Sequence, residues 1–143
     1  MRSLLDVNVL IALLDAAHVH HRRAVSWLQQ EVRHGWASCP ITQNGCIRIM
    51  SHPAYPNPLP AAQVVRRLRE ASENPAHEFW PDDINLLSSP VFDWSRLFSH
   101  RQITDTYLLA MAVRHKGRLV TFDQCIAHDA VKGARERNLV VLR

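Results

Sequence analysis

Cysteine, lysine and long apolar runs are all scarce in this chain of 143 residues, and each shortage removes a class of protein. The cysteines Cys39, Cys46 and Cys125 are odd in number, far apart and without C-x-x-C spacing. That argues against a disulfide scaffold or a thiolate zinc site and fits a reducing cytoplasm. No stretch reaches the roughly 18 consecutive apolar residues of a membrane helix. The opening MRSLLDVNVLIALLD breaks its apolar run at Asp6, Asn8 and Asp15, so it reads as neither signal peptide nor span. Repeats, linkers and low-complexity segments are missing, and residues 1–143 are expected to form one domain.

What the chain does have is enough apolar material, 47% of residues, for one sizeable core. Lys+Arg outnumber Asp+Glu by 17 to 13, a net charge of +4 that favours approach to a polyanion. Lys116 and Lys132 are the only lysines, so nearly all the positive charge is arginine, whose guanidinium can fork onto phosphate.

Along the chain, short apolar strands alternate with helical patterns. Arg2 to Leu5 reads as a strand running into Asp6, after which Val7, Leu10, Ile11 and Leu14 recur at helical spacing. A second helix is expected from His18 to His34, ended by Gly35, and a strand from Trp36 to Cys39. A third helix opens at Pro40 and runs through Met50, closed by the Pro-dense segment from His52 to Pro60. Ala61 to Ala71 is an amphipathic helix, and His77 to Trp80 a strand. The next helix is placed at Asp105 to Lys116, with Thr104 as N-cap and Gly117 as C′; a strand follows at Arg118 to Phe122. Ile126 to Arg137 reads as helical and Leu139 to Leu142 as a last strand. Because the strands are apolar runs and not period-2 patterns, the expected fold is an α/β/α sandwich around a mostly parallel sheet of four to five strands. Ligands of such sheets sit beyond the carboxyl ends of the strands.

Asp6 and Asp123 each follow directly on a strand, and Asp105 opens a helix, so all three are candidates for that edge. Singly, each is an ordinary helix-start or turn residue. Jointly they pose an electrostatic problem, since carboxylates near 4 Å apart repel by about 4 kcal/mol at an effective dielectric of 20. A hard divalent cation, Mg²⁺ or Mn²⁺, solves it with oxygen ligands and retained waters, and can activate water against a phosphate.

These residues also resemble those of a known family, the PIN domains, and among them the VapC-like toxins of bacterial toxin–antitoxin pairs. The resemblance spans essentially the whole chain. It is carried by Leu5-Asp6-Val7-Asn8-Val9-Leu10, by Ile41-Thr42-Gln43-Asn44-Gly45 with Arg48, by Phe79-Trp80-Pro81-Asp82-Asp83, by His100-Arg101-Gln102-Ile103-Thr104-Asp105-Thr106-Tyr107-Leu108, and by Leu119-Val120-Thr121-Phe122-Asp123. It implies a metal-dependent endoribonuclease with a four-acid site, Asp6, Asp105 and Asp123 falling on three of the acids. Gln43 stands where that pattern usually has glutamate, and an amide keeps an oxygen ligand but loses a charge. In this reading Asn8 and Thr121 orient the acids, and Arg101 or Arg48 contacts the scissile phosphate. The resemblance further implies a homodimer, an antitoxin partner and an RNA substrate. A degenerate member acting only by RNA or antitoxin binding is the alternative.

Other features read as structural. His18, His20 and His21 share no i, i+4 face for chelation, and Arg66, Arg67 and Arg69 form a solvated helix face. Trp27, Trp36, Trp80 and Trp94 are expected in the core. Asp6-Val7-Asn8 has a superficial likeness to a phosphatase D-x-D pair, but Asn8 lacks the general-acid carboxylate that a covalent route needs.

Overall fold

Five short runs of apolar and β-branched residues become strands, and they pair in parallel throughout. In the computed structural model, which describes residues 1–143, these are β1 (Ser3–Leu5), β2 (Trp36–Ser38), β3 (His77–Phe79), β4 (Arg118–Thr121) and β5 (Leu139–Val141). The sheet order is β3-β2-β1-β4-β5. The chain therefore builds outward from β1 through β2 to β3, then returns to the other side of β1 for β4 and β5. The direction of winding reverses between β1 and β4, and parallel sheets open a crevice at that point, beyond the carboxyl ends of the strands.

Strand alternation assigns residues to two cores. Leu4, in register with Ala37 and Leu119, faces one layer. There it packs under Leu108, Met111 and Tyr107 of helix α5 (Gln102–Arg114). Leu5 and its neighbour Val120 face the other, against Val9 and Leu10 of α1 (Val7–Leu14), Trp27 of α2 (His21–Glu31), Cys46 and Met50 of α3 (Pro40–Met50), and Val64 and Leu68 of α4 (Ala61–Ser72). The three inner strands are buried on both faces apart from the first residue of β4, whereas β3 and β5 at the edges are only part-covered. This is the α/β/α arrangement expected for continuous apolar strands.

Three local expectations are corrected. Helix α5 begins at Gln102, not Asp105; its N-cap position is Arg101, and Thr104 lies inside the helix with no capping role. At its other end the left-handed residue is Lys116, with φ 56°, and not Gly117. Gly117 is required for another reason. A Cβ there would stand 2.5 Å from the Arg2 carbonyl oxygen and 3.0 Å from the Trp80 ring, at the junction where β4 enters the sheet. Residues 126–137 form no α-helix, only 3₁₀ turns at His128–Ala130 and Glu136–Asn138. Their backbone groups go elsewhere: Asp93 N–H donates to Ala130 and Lys132 N–H to Val91, in an antiparallel bridge of Phe92 with Val131. Gly133, at φ 85°, then turns the chain toward β5.

Trp27, Trp36 and Trp80 are buried as expected. Trp94 is not: it lies on the surface, 40% exposed, stacked on Phe92. No helix is long and apolar enough to cross a membrane.

Candidate metal and active site

The local sequence Leu-Leu-Asp-Val-Asn places a carboxyl at the exact exit of β1, where the backbone changes from extended to helical. Asp6 is the N-cap of α1, with φ −62° and ψ 159°, and its Oδ1 accepts from Val7 N–H at 2.7 Å. Its own N–H donates to Val120, fixing it beside the end of β4. Its Oδ2 accepts from the Thr121 hydroxyl at 2.6 Å. Asp6 is 6% exposed, so the carboxyl sits at the floor of the crevice.

Thr121 organises more than Asp6. Its Oγ1 also accepts from Asn8 Nδ2 at 3.2 Å and from Asp123 N–H at 3.0 Å. Asn8 returns the connection through Oδ1, which accepts from Phe122 N–H at 3.2 Å. One hydroxyl and one amide thus bind the ends of β1 and β4 together and set the direction in which Asp123 leaves the sheet. Asp123 lies nearer solvent, its Oδ1 accepting from Cys125 N–H at 2.8 Å.

Asp105 arrives from the first turn of α5. Burial is the largest reason its carboxyl is raised from 3.8 to about 7; the charges of Asp6 and Asp123, and a hydrogen bond with Asp123, raise it further. Asp6 is also raised, first by burial and in small part by the charge of Asp123, against the opposing hydrogen bonds of Thr121 and Val7. The three acids therefore meet at one edge and repel one another there.

No three acidic, histidine or cysteine side chains in the chain stand close enough to cage an ion with protein atoms alone. The acids form an open cluster instead. That fits Mg²⁺ or Mn²⁺, which keep several waters and take only one or two carboxylates directly, and it does not fit a closed structural site. The donor set is all oxygen, and Asp105, raised first by burial, also feels the charges of Asp6 and Asp123, so the residues present suit a hard divalent ion that keeps several of its waters.

Gln43 does not join this cluster by any hydrogen bond. It lies in the first turn of α3, and its Nε2 donates to Ser38 Oγ at 3.0 Å; Ser38 Oγ in turn lies 2.8 Å from His77 Nε2. The same residue lines a cavity between α3 and α4 with Ile47, Val65, Leu68 and Arg69. Arg101 is exposed just ahead of α5, four residues before Asp105, and Arg48 is exposed near the end of α3 beside His52 and Tyr55. Neither arginine pairs with an acid. Of the three histidines near α2, His21 bonds the Ala12 carbonyl at 2.8 Å, and His20 stacks on Phe122 at 4.6 Å between ring centroids, next to the acid edge.

One positioning residue is barely marked in the sequence. Gln102 Nε2 donates to the Cys125 carbonyl and its Oε1 accepts from Phe98 N–H, so it ties the loop after Asp123 to the start of α5. Only its place within the block around Asp105 hinted at this, because no local pattern marks a glutamine that bridges distant segments.

A parallel sheet with aspartates gathered at its switch point defines the class: the chain belongs to the PIN-domain family, whose profile, described as "PIN domain", matches residues 3–131. Within it the chain is VapC-like. It is 53% identical over 142 residues to the protein named Ribonuclease VapC44 of Mycobacterium tuberculosis (strain ATCC 25618 / H37Rv), covering 99% of this chain and 100% of that protein. It is 42% identical over 137 residues to Ribonuclease VapC39 of the same strain, with 95% and 99% covered. With Ribonuclease VapC29 it shares 40% over 128 residues, covering 90% of each.

Proposed function

We propose that residues 1–143 act as a single PIN domain that hydrolyses RNA phosphodiester bonds internally, dependent on Mg²⁺ or Mn²⁺, as the toxin of a toxin–antitoxin pair. The observation that carries this reading is the convergence of Asp6, Asp105 and Asp123, with Asp105 raised to about 7 by burial and by the other two charges. The relatives named as ribonucleases over nearly their full length supply the substrate class.

When bound, the divalent ion supplies positive charge beside the scissile phosphate and makes water more acidic. Asp6, Asp105 and Asp123 would hold it, directly or through its retained waters, while Thr121 and Asn8 keep Asp6 and Asp123 in place. The carboxylate facing solvent orients the attacking water in line with the bond to be broken. Arg101 and Arg48, free of acidic partners, are the candidates for gripping the phosphate. RNA, a cognate antitoxin and a second copy of the chain are the expected partners, in the cytoplasm.

A catalytically weakened member is the second reading, favoured by one observation: at position 43 an amide is tied to Ser38 where the family pattern has a fourth acid. Incubation of the chain with total RNA separates the two. Cleavage in Mg²⁺ that is lost in EDTA and in Asp6→Ala supports the enzyme; binding without cleavage supports the alternative.

A further inference from the structure

The amino ends of the strands carry a second charged concavity, on the side of the sheet away from the acids. An open cavity of about 480 Å³ is lined there by Val113, Lys116, Gly133, Arg135, Arg137 and Asn138, with no acid in its lining. Lys116, Arg135 and Arg137 are exposed, and none takes part in an ion pair. Glu136 is adjacent in sequence but does not line the cavity.

The cations are held by a built frame. Asn138, 6% exposed, donates from Nδ2 to the Gly117 carbonyl at 2.8 Å, and its Oδ1 accepts from Arg135 N–H at 2.9 Å. One buried amide thus fastens the turn bearing Lys116 to the turn bearing Arg135 and Arg137. Two left-handed residues, Lys116 at φ 56° and Gly133 at φ 85°, shape the rim. Three like charges brought around one hollow repel each other, and the chemistry that relieves this is a polyanion with several phosphates.

We propose that this cavity seats backbone phosphates of RNA, as a docking point separate from the acids; the assignment rests on the ribonuclease reading for its choice of polyanion. Asp105 and Lys116 lie at opposite ends of α5, about 16 Å apart along the helix at 1.5 Å per residue. Only an RNA long enough to follow that distance reaches both.

The test compares the chain with the triple variant Lys116→Glu, Arg135→Glu, Arg137→Glu. Binding of a labelled 30-nucleotide RNA is followed by anisotropy in EDTA across a KCl series. Three lost contacts at about 0.7 each should lower the salt slope by about 2 and, at 0.15 M salt, weaken binding roughly 50-fold. Cleavage of a four-nucleotide RNA in Mg²⁺ should be unchanged. An unchanged slope overturns the proposal, as does competition by AMP or by hexaglutamate that matches unlabelled RNA at equal charge. The triple Gln variant, which adds no repulsion, gives the same reading should charge reversal prevent folding. If no RNA is cleaved but the slope still falls, the ribonuclease reading fails and the phosphate site stands.

Discussion

Replacing Asp105 with Asn removes one negative charge from a cluster that repels itself, and the consequence for stability can be worked through. Burial, then the charges of Asp6 and Asp123, lift the folded carboxyl from 3.8 to about 7. An acid raised in this way binds its proton more tightly when folded, so its contribution to stability is complete below about pH 4 and is lost as pH climbs through 7. The rise corresponds to about 4 kcal/mol, and screening at a carboxyl partly open to solvent brings this to about 2 kcal/mol. Asn cannot ionise and escapes the loss. In EDTA at pH 8, Asp105→Asn should therefore melt about 4–8 °C above the parent, with the gap closing toward pH 4. Adding Mg²⁺ should reverse the order at pH 8, because only the parent has the full set of ligands. Circular-dichroism melts across pH, with and without the ion, read all of this. A variant less stable than the parent at pH 8 in EDTA, or a gap that does not change with pH, would refute the reasoning.

Thr121→Val should cut cleavage about 10–100-fold. It should also move the acid limb of the pH–rate profile upward, because Asp6 loses a hydrogen bond that lowers its carboxyl while burial still raises it. Gly117→Ala should cost about 1–3 kcal/mol by urea unfolding, since its Cβ meets the Arg2 backbone at 2.5 Å and cannot be accommodated by a side-chain rotation. Gln43→Glu should tighten Mn²⁺ binding and raise Mn²⁺-dependent cleavage; no gain, with affinity unchanged by calorimetry, would place position 43 outside the reach of the ion.

How much of this was legible in the sequence varies with the range of the interactions involved. The β1–Asp6–α1 turn, the span of α3 and the exit of β4 just ahead of Asp123, at Thr121 and one residue short of the expected Phe122, are written in local apolar runs, a proline at a helix start and an aspartate at a strand end. Those same signals mark Asp6 and Asp123 as candidates for the carboxyl edge of the sheet, whereas Asp105 is tied to it by a helix start that falls at Gln102 instead. The segment 126–137 looks helical because Ile126, Ala127, Ala130, Val131 and Ala134 recur at helical spacing, while the pairing of Val131 with Phe92 is a long-range choice that spacing cannot express. The role of Gly117 was equally hidden: a glycine after a lysine looks like a helix cap, and its real neighbours, Arg2 and Trp80, are distant in sequence. Thr121 as the hub for Asp6, Asn8 and Asp123 was foreseen in kind through the family resemblance, but its three hydrogen bonds follow from the register of β1 against β4.

Titration of Mn²⁺ into the parent and into Asp6→Asn at pH 6.5, by calorimetry in two buffers of different ionisation heat, asks directly whether the acids form an ion site. The parent should bind saturably and release about one proton, because a carboxyl held near 7 must ionise on binding. Asp6→Asn should bind at least about 10-fold more weakly. Equal affinity in the two proteins, with no proton released, would contradict a cation held by converging aspartates.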